Sequence, residues 1–197
     1  GDAGGESALG TKGLAGGKGF QRPLARVVSC SVCWDDGGSL AKAFATLKTL
    51  MGKECVMKVH VEVDGGLLAD RFGKYAPEPD RLEGFPVRSF PIEINDVPQE
   101  ARTLALAFID YDAIPVGGFC WIHWTACNLP ATTTLIPEDA SRTGAVDMVQ
   151  GRNSNWSPMA HGSDNPQVHS RYCGPQPPDA THSYTLNVYA LDCVLDL

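Results

Sequence analysis

Five side chains in the second half of the chain could do chemistry together: Asp110, Asp112, His123, His182 and Tyr184. Two carboxylates, two imidazoles and a phenol are the residue types that hold or orient a small anion, or move a proton. Their surroundings say how they could meet. Asp110 and Asp112 stop the apolar run Leu104–Ile109, which has the length and composition of a strand buried on both faces. Pro115 and the pair Gly117-Gly118 turn the chain, and a second strand-like run, Phe119 to Cys127, carries His123 between Trp121 and Trp124. With a two-residue period, Trp121, His123, Thr125 and Cys127 share one face. An acid ending one strand meets an imidazole early in the next if the two strands pair. A third run, Tyr184 to Leu191, places His182, Tyr184, Leu186 and Val188 on one face. Just before it, Gly174-Pro175-Gln176-Pro177-Pro178 reads as a turn that brings backbone close without bulk and is stiffened by its prolines.

The chemistry this set favours is anion binding. His123, His182 and Tyr184 offer hydrogen-bond donors to an oxyanion. Asp110 would repel phosphate unless it orients or charges a histidine, or shares a proton with the bound anion. The expectation is that Asp110, His123, His182 and Tyr184 converge on one pocket walled by Trp121 and Pro177, with no cofactor. The plainer alternative has Asp110 and Asp112 satisfying turn N–H groups and His123 packed as a core histidine. Two enzymatic alternatives use the same residues. A hydrolase lacks a G-x-S-x-G elbow or other activated nucleophile. A metal enzyme would draw four ligands from Asp110, Asp112, His123 and His182.

These motifs resemble the phosphatidylethanolamine-binding proteins, also called Raf kinase inhibitor-like proteins, in their bacterial branch. One motif reads Asp110-Tyr111-Asp112-Ala113-Ile114-Pro115, then His123-Trp124, then Asn128-Leu129-Pro130. The other reads Gly174-Pro175-Gln176-Pro177-Pro178, then His182-Ser183-Tyr184, then Ala190-Leu191-Asp192. Gly151-Arg152-Asn153-Ser154-Asn155-Trp156 resembles a further element of the family, with Asn155 inserted before the tryptophan. The resemblance implies an all-β, Greek-key sandwich of two antiparallel sheets. It also implies an anion pocket for phosphate or phosphorylated headgroups, formed by Asp110, Asp112, Pro115, Trp121, His123, Gly174, Pro177, Pro178, His182 and Tyr184. The protein is then a ligand-binding or regulatory protein and not an enzyme, with a kinase or other protein as a further partner. Together with the sharp turn, the resemblance leads us to expect a cis Ile114–Pro115 bond.

The rest of the chain sets the frame. A net charge of −7 argues against a nucleic-acid surface, and no stretch of about 18 apolar residues offers a membrane span. No basic start followed by an apolar segment opens the chain, and Cys120, Cys127 and Cys193 read as small buried hydrophobes, so a cytoplasmic protein is expected. Cys30 and Cys33 have CxxC spacing without a second pair to complete a zinc set. Residues 1–56 read as a glycine-rich extension, upstream of a Met57 that could itself be a start. A sandwich domain is expected over 57–197. Val59, Val61 and Val63 alternate with polar residues as a half-buried strand that leaves His60 in solvent. Within the extension, Leu40, Phe44, Leu47 and Met51 form a helical stripe capped by Ser39 and Gly52. The resemblance implies a C-terminal helix after Ala190-Leu191-Asp192, and with Leu197 closing the sequence that helix is expected to be absent. The Ser39–Met51 helix is therefore expected to cover the surface beside the last strand, through Phe44 and Leu47, within its own chain or across a homodimer interface.

Overall fold

The computed structural model describes residues 25–33, 57–160 and 162–197. Its strands are β1 (Ala25–Cys33), β2 (Lys58–His60), β3 (Arg81–Leu82), β4 (Phe85–Pro86) and β5 (Ile92–Asn95). They continue with β6 (Thr103–Asp110), β7 (Trp121–Pro130), β8 (Leu135–Ile136), β9 (Val149–Gln150) and β10 (His182–Leu191). Three one-turn helices interrupt them: α1 (Ile114–Gly117), α2 (Ala140–Thr143) and α3 (Pro166–His169). The large sheet runs β1-β10-β6-β7-β9, a smaller one runs β2-β5-β8, and β3 and β4 form a hairpin.

The three runs read as central strands are β6, β7 and β10, and they lie side by side. Their inward residues Leu104, Leu106, Phe108, Trp124, Leu129, Leu186 and Val188 are buried in one core with Phe90, Ile92, Ile94 and Ile136 from the small sheet's side. Phe90 meets Phe108 edge to face at 5.0 Å, which ties the layers at the centre. Each such aromatic contributes roughly 1.5–3 kcal/mol through burial alone. β10 returns after a long excursion to pair antiparallel with β6, the non-local closure of a Greek key. The expected sandwich, mostly antiparallel with few short helices, is the fold observed.

Several local expectations are corrected. β1 pairs parallel with β10, a strand that the reading of residues 1–56 did not include, and it contains Cys30 and Cys33. β2 ends at His60, so the alternation beyond it does not continue as a strand: Val61 is buried but Val63 is exposed. Cys193 lies beyond the end of β10 and is exposed, while Cys120 and Cys127 are only partly buried. No peptide bond among the described residues is cis, Ile114–Pro115 included. Pro115 instead sits in the first turn of α1, where its missing N–H costs no helical hydrogen bond. Gly118 makes the sharp exit, at φ 84°, and its N–H donates to the Ile114 carbonyl. The Ser39–Met51 helix, its Phe44 and Leu47 contacts, and His161 lie outside the described residues.

Candidate functional site

Sheet register brings the site together. Asp110, the last residue of β6, is paired with Tyr184 of β10 on one side and Trp121 of β7 on the other. His182 stands two residues before Tyr184 and on the same buried face. The regular two-residue period delivers these residues, but His123 needs an irregularity. Phe108 pairs with Trp124 while Ile109 pairs with Ile122, so His123 is the extra residue of a bulge. As a result His123 and Trp124 are both buried, and the single face expected for Trp121, His123, Thr125 and Cys127 is broken.

One residue, Cys173, holds both the ring and the backbone of His123. Its Nδ1 lies 2.7 Å from the Cys173 carbonyl oxygen, and its own carbonyl accepts the Cys173 N–H at 3.0 Å. Burial pushes its pKa down to about 4, outweighing the pull of that carbonyl and of Asp110. The ring is neutral at pH 7. His182 is the opposite case. Its Nδ1–H donates to Asp110 Oδ2 at 2.8 Å, and its Nε2–H donates to Asp179 Oδ1 at 3.0 Å. Burial lowers its pKa, but the two carboxylates outweigh that and the net shift is upward. Asp110 is completed by the Ala113 N–H, which donates to Oδ1 at 3.0 Å. Tyr184 is raised by burial first and by Asp110 next. The Asp110 charge is felt at the phenol, although the geometry falls short of a hydrogen bond.

These side chains surround a cavity of about 290 Å³, near the lower end of the usual range for small-molecule sites. Asp110, Trp121, His123, His182 and Tyr184 line it, and so do Gly174, Pro177 and Pro178 of the proline-rich turn. That turn is docked tightly: the Gly174 N–H donates to Pro86, and Lys74 Nζ donates to the Pro177 carbonyl. Two residues assigned to the site are not brought to it. Asp112 is exposed and its Oδ2 accepts the Ser183 N–H at 2.8 Å, so it fastens the α1 turn to the start of β10. Pro115 is exposed on α1, whose Val116 and Gly117 face the cavity instead.

Sequence reasoning passed over Asn155 and Cys173, which also line the cavity. Asn155 belongs to a 3-10 turn, Ser154–Trp156, capped by Asn153. The Asn153 side chain accepts the Asn155 N–H and donates to the carbonyls of Val168 and Arg171. The G-x-N-S element was the only sequence signal for this turn, and the residue it treats as an insertion is the one at the cavity. Among the described residues, three buried side-chain polar atoms have no hydrogen-bond partner: His123 Nε2, Asn155 Nδ2 and Tyr184 Oη. All three residues line this cavity. Among the described residues, no Lys, Arg, Ser or Thr does so. No three His, Cys, Asp or Glu side chains among the described residues are grouped to hold a metal ion.

Comparison with known proteins agrees with this frame. The family model described as phosphatidylethanolamine-binding protein matches residues 59–197. The Bacillus subtilis protein YxkA is 54% identical over 141 residues, which is 72% of this chain and 83% of its own length. A UPF0098 protein of Chlamydia pneumoniae is 36% identical over 134 residues, covering 66% of this chain and 77% of its own. The crystal structure of a phosphatidylethanolamine-binding protein homologue from Chlamydia trachomatis superposes with a TM-score of 0.50 at 29% identity, over 73% of this chain and 80% of that one. The chain belongs to the phosphatidylethanolamine-binding protein family.

Proposed function

We propose that this protein binds a small phosphate-bearing ligand in the cavity between Asp110, His123 and Tyr184, and that it acts by binding and not by catalysis. The observation that carries the reading is the clustering of the unpartnered atoms. A buried polar group without a partner costs about 1–3 kcal/mol, and the three residues that carry such atoms, His123, Asn155 and Tyr184, all line one cavity. A small polar ligand recovers that cost. The same geometry weighs against nucleophilic chemistry. Among the described residues the cavity has no lining hydroxyl except Tyr184, and burial drives the Cys173 thiol up to about 12. Both ring nitrogens of His182 are already engaged by carboxylates, which leaves it no free nitrogen to act as a base.

The test is a titration of isotope-labelled protein with inorganic phosphate, followed by NMR and calorimetry. Saturable shifts are expected at His123, Asn155 and Tyr184. Tyr184→Phe and Asn155→Ala each remove a donor to a charged acceptor and should weaken binding roughly ten- to a hundredfold. Phosphate that leaves these resonances unmoved at every accessible concentration refutes the reading.

A further inference from the structure

We propose that Glu83 is a latch at the cavity mouth, and that release of its carboxylate from Ser163 and Asn165 opens the way to Asn155 and Cys173. The inference concerns access and holds for any occupant of the cavity. It starts from a residue in a place that suits it poorly. β3 and β4 pair Leu82 with Phe85, which leaves Glu83 and Gly84 as a two-residue turn. Their φ angles are 52° and 83°, and a turn with both central residues at positive φ favours Asn-Gly. A glutamate there meets the left-handed steric penalty without the short local bond that lets asparagine tolerate it. Strain of this kind persists where the surroundings hold it, and it points to a task for the side chain.

That task lies across the mouth. Glu83 Oε2 accepts the Ser163 hydroxyl at 2.6 Å, and Oε1 accepts Asn165 Nδ2–H at 3.0 Å. Both oxygens are committed to one arm of the chain, which leads from the Ser154–Trp156 turn to α3. Asn165 anchors the far end, since its Oδ1 accepts the Gln167 N–H and so caps α3, whose Val168 is buried. At the near end the arm rests on Asn155. The Ser163 N–H donates to the Asn155 carbonyl at 3.3 Å, and a Cβ on Gly162 would come within 2.2 Å of that oxygen. The Asn155 side chain in turn lies beside the Cys173 thiol. Between these ends Pro158–Ala160 buries no side chain, and Trp156 and Met159 are exposed. Little apolar burial therefore opposes lifting of the arm. Phe85 lines the cavity from the hairpin side, and Ala160 and Gly162 line it from the arm side. Glu83 ties the two sides together.

Cys173 reports the opening, because it lines the cavity and is only 2% exposed. The full chain is treated with methyl methanethiosulfonate, and modification of Cys173 is followed by peptide mass analysis. The exposed Cys193 serves as internal reference for the reagent. Glu83→Asn installs the residue the turn prefers, with a side chain one methylene shorter and without charge. It should raise the Cys173 labelling rate about five- to tenfold through the loss of the two latch bonds, while Tm stays at the wild-type value or rises. Labelling through global unfolding would instead slow as Tm rises. Ser163→Ala attacks the latch from the arm and should also raise the rate. Because both substitutions break the same bond, the double variant should fall short of the product of the two single effects. A Cys173 rate unchanged by Glu83→Asn overturns the latch. So does a rise matched by a fall in Tm, or a double variant in which the two effects multiply in full.

Discussion

The imidazole of His182 donates to Asp110 through Nδ1 and to Asp179 through Nε2, so both of its nitrogens are committed to carboxylates. Asp110 is thereby tied to the strand that carries Tyr184 by a side-chain bond as well as by the sheet register. The arrangement sets a charge of fixed sign at the floor of the cavity. Its consequences can be read in stability, in titration and in binding.

Asp110→Asn removes the charge that helps keep His182 protonated. The folded pKa of His182 lies above the ordinary histidine value of 6.5, so the stability it contributes is fully present below that value. It is lost as pH rises through the folded value. The variant should lower the His182 titration midpoint, followed by NMR. Denaturant unfolding should show a deficit of about 1.5–3 kcal/mol near pH 6, the loss of a charge-assisted hydrogen bond. The deficit should shrink toward alkaline pH. A His182 midpoint unchanged by the substitution would contradict the coupling.

His123 makes the reverse prediction at acid pH. Its folded pKa is about 4 against the ordinary histidine value of 6.5, so the folded protein resists protonation that the unfolded chain accepts. Stability from this residue is present above 6.5 and lost as pH falls toward 4. The linked loss is about 3 kcal/mol over that interval. His123→Gln should be less stable at pH 7 but should show a flatter acid limb in unfolding experiments. An acid limb as steep as that of the wild type would place the sensitivity elsewhere.

How much of this was legible follows the regularity of the backbone. Asp110, His182 and Tyr184 sit on strands that keep their two-residue period, so their convergence could be read from spacing. His123 reaches the cavity through a bulge, and an inserted residue looks the same in sequence as an ordinary strand position until the partner register is known. Asp112 and Pro115 were assigned by their place in a motif. Their actual work, bonding Ser183 and starting α1, depends on a turn geometry that hydrophobic patterning does not encode. Asn155 and Cys173 come from irregular segments between β9 and β10, where no period exists to read. The β1–β10 pairing joins residues far apart in the chain, and nothing local in either segment specifies the other.

The docking of the proline-rich turn predicts an intolerance at Gly174. A Cβ there would run into the Phe72 carbonyl oxygen and crowd Pro86, and the obstacle is backbone that cannot swing aside. The Phe72 carbonyl already accepts the Tyr172 hydroxyl at 2.7 Å, so moving it also breaks a buried bond. Gly174→Ala should cost at least about 1–3 kcal/mol, the usual penalty for overpacking. The check is a thermal melt against wild type, and a Tm within error of wild type would mean that the turn has slack.

Asn153 supplies the last prediction, because it positions a cavity residue without lining the cavity. Its side chain caps the 3-10 turn by accepting the Asn155 N–H at 2.9 Å. Its Nδ2 bridges to Val168 and Arg171 at 2.7 Å each, and the whole residue is buried. Losing the side chain leaves two carbonyls and one N–H without this partner, a cost of about 1–3 kcal/mol for each one that water cannot reach. Asn153→Ala should therefore destabilise the fold. In the surviving folded fraction it should also loosen Asn155, broadening its side-chain amide signals in NMR. Asn153→Asp separates the two effects, since it keeps the acceptor for the Asn155 N–H but loses both donated bonds. It should retain sharp Asn155 signals while still losing stability. Equal broadening in both variants would show that the anchoring to Val168 and Arg171, and not the cap, holds Asn155 in place.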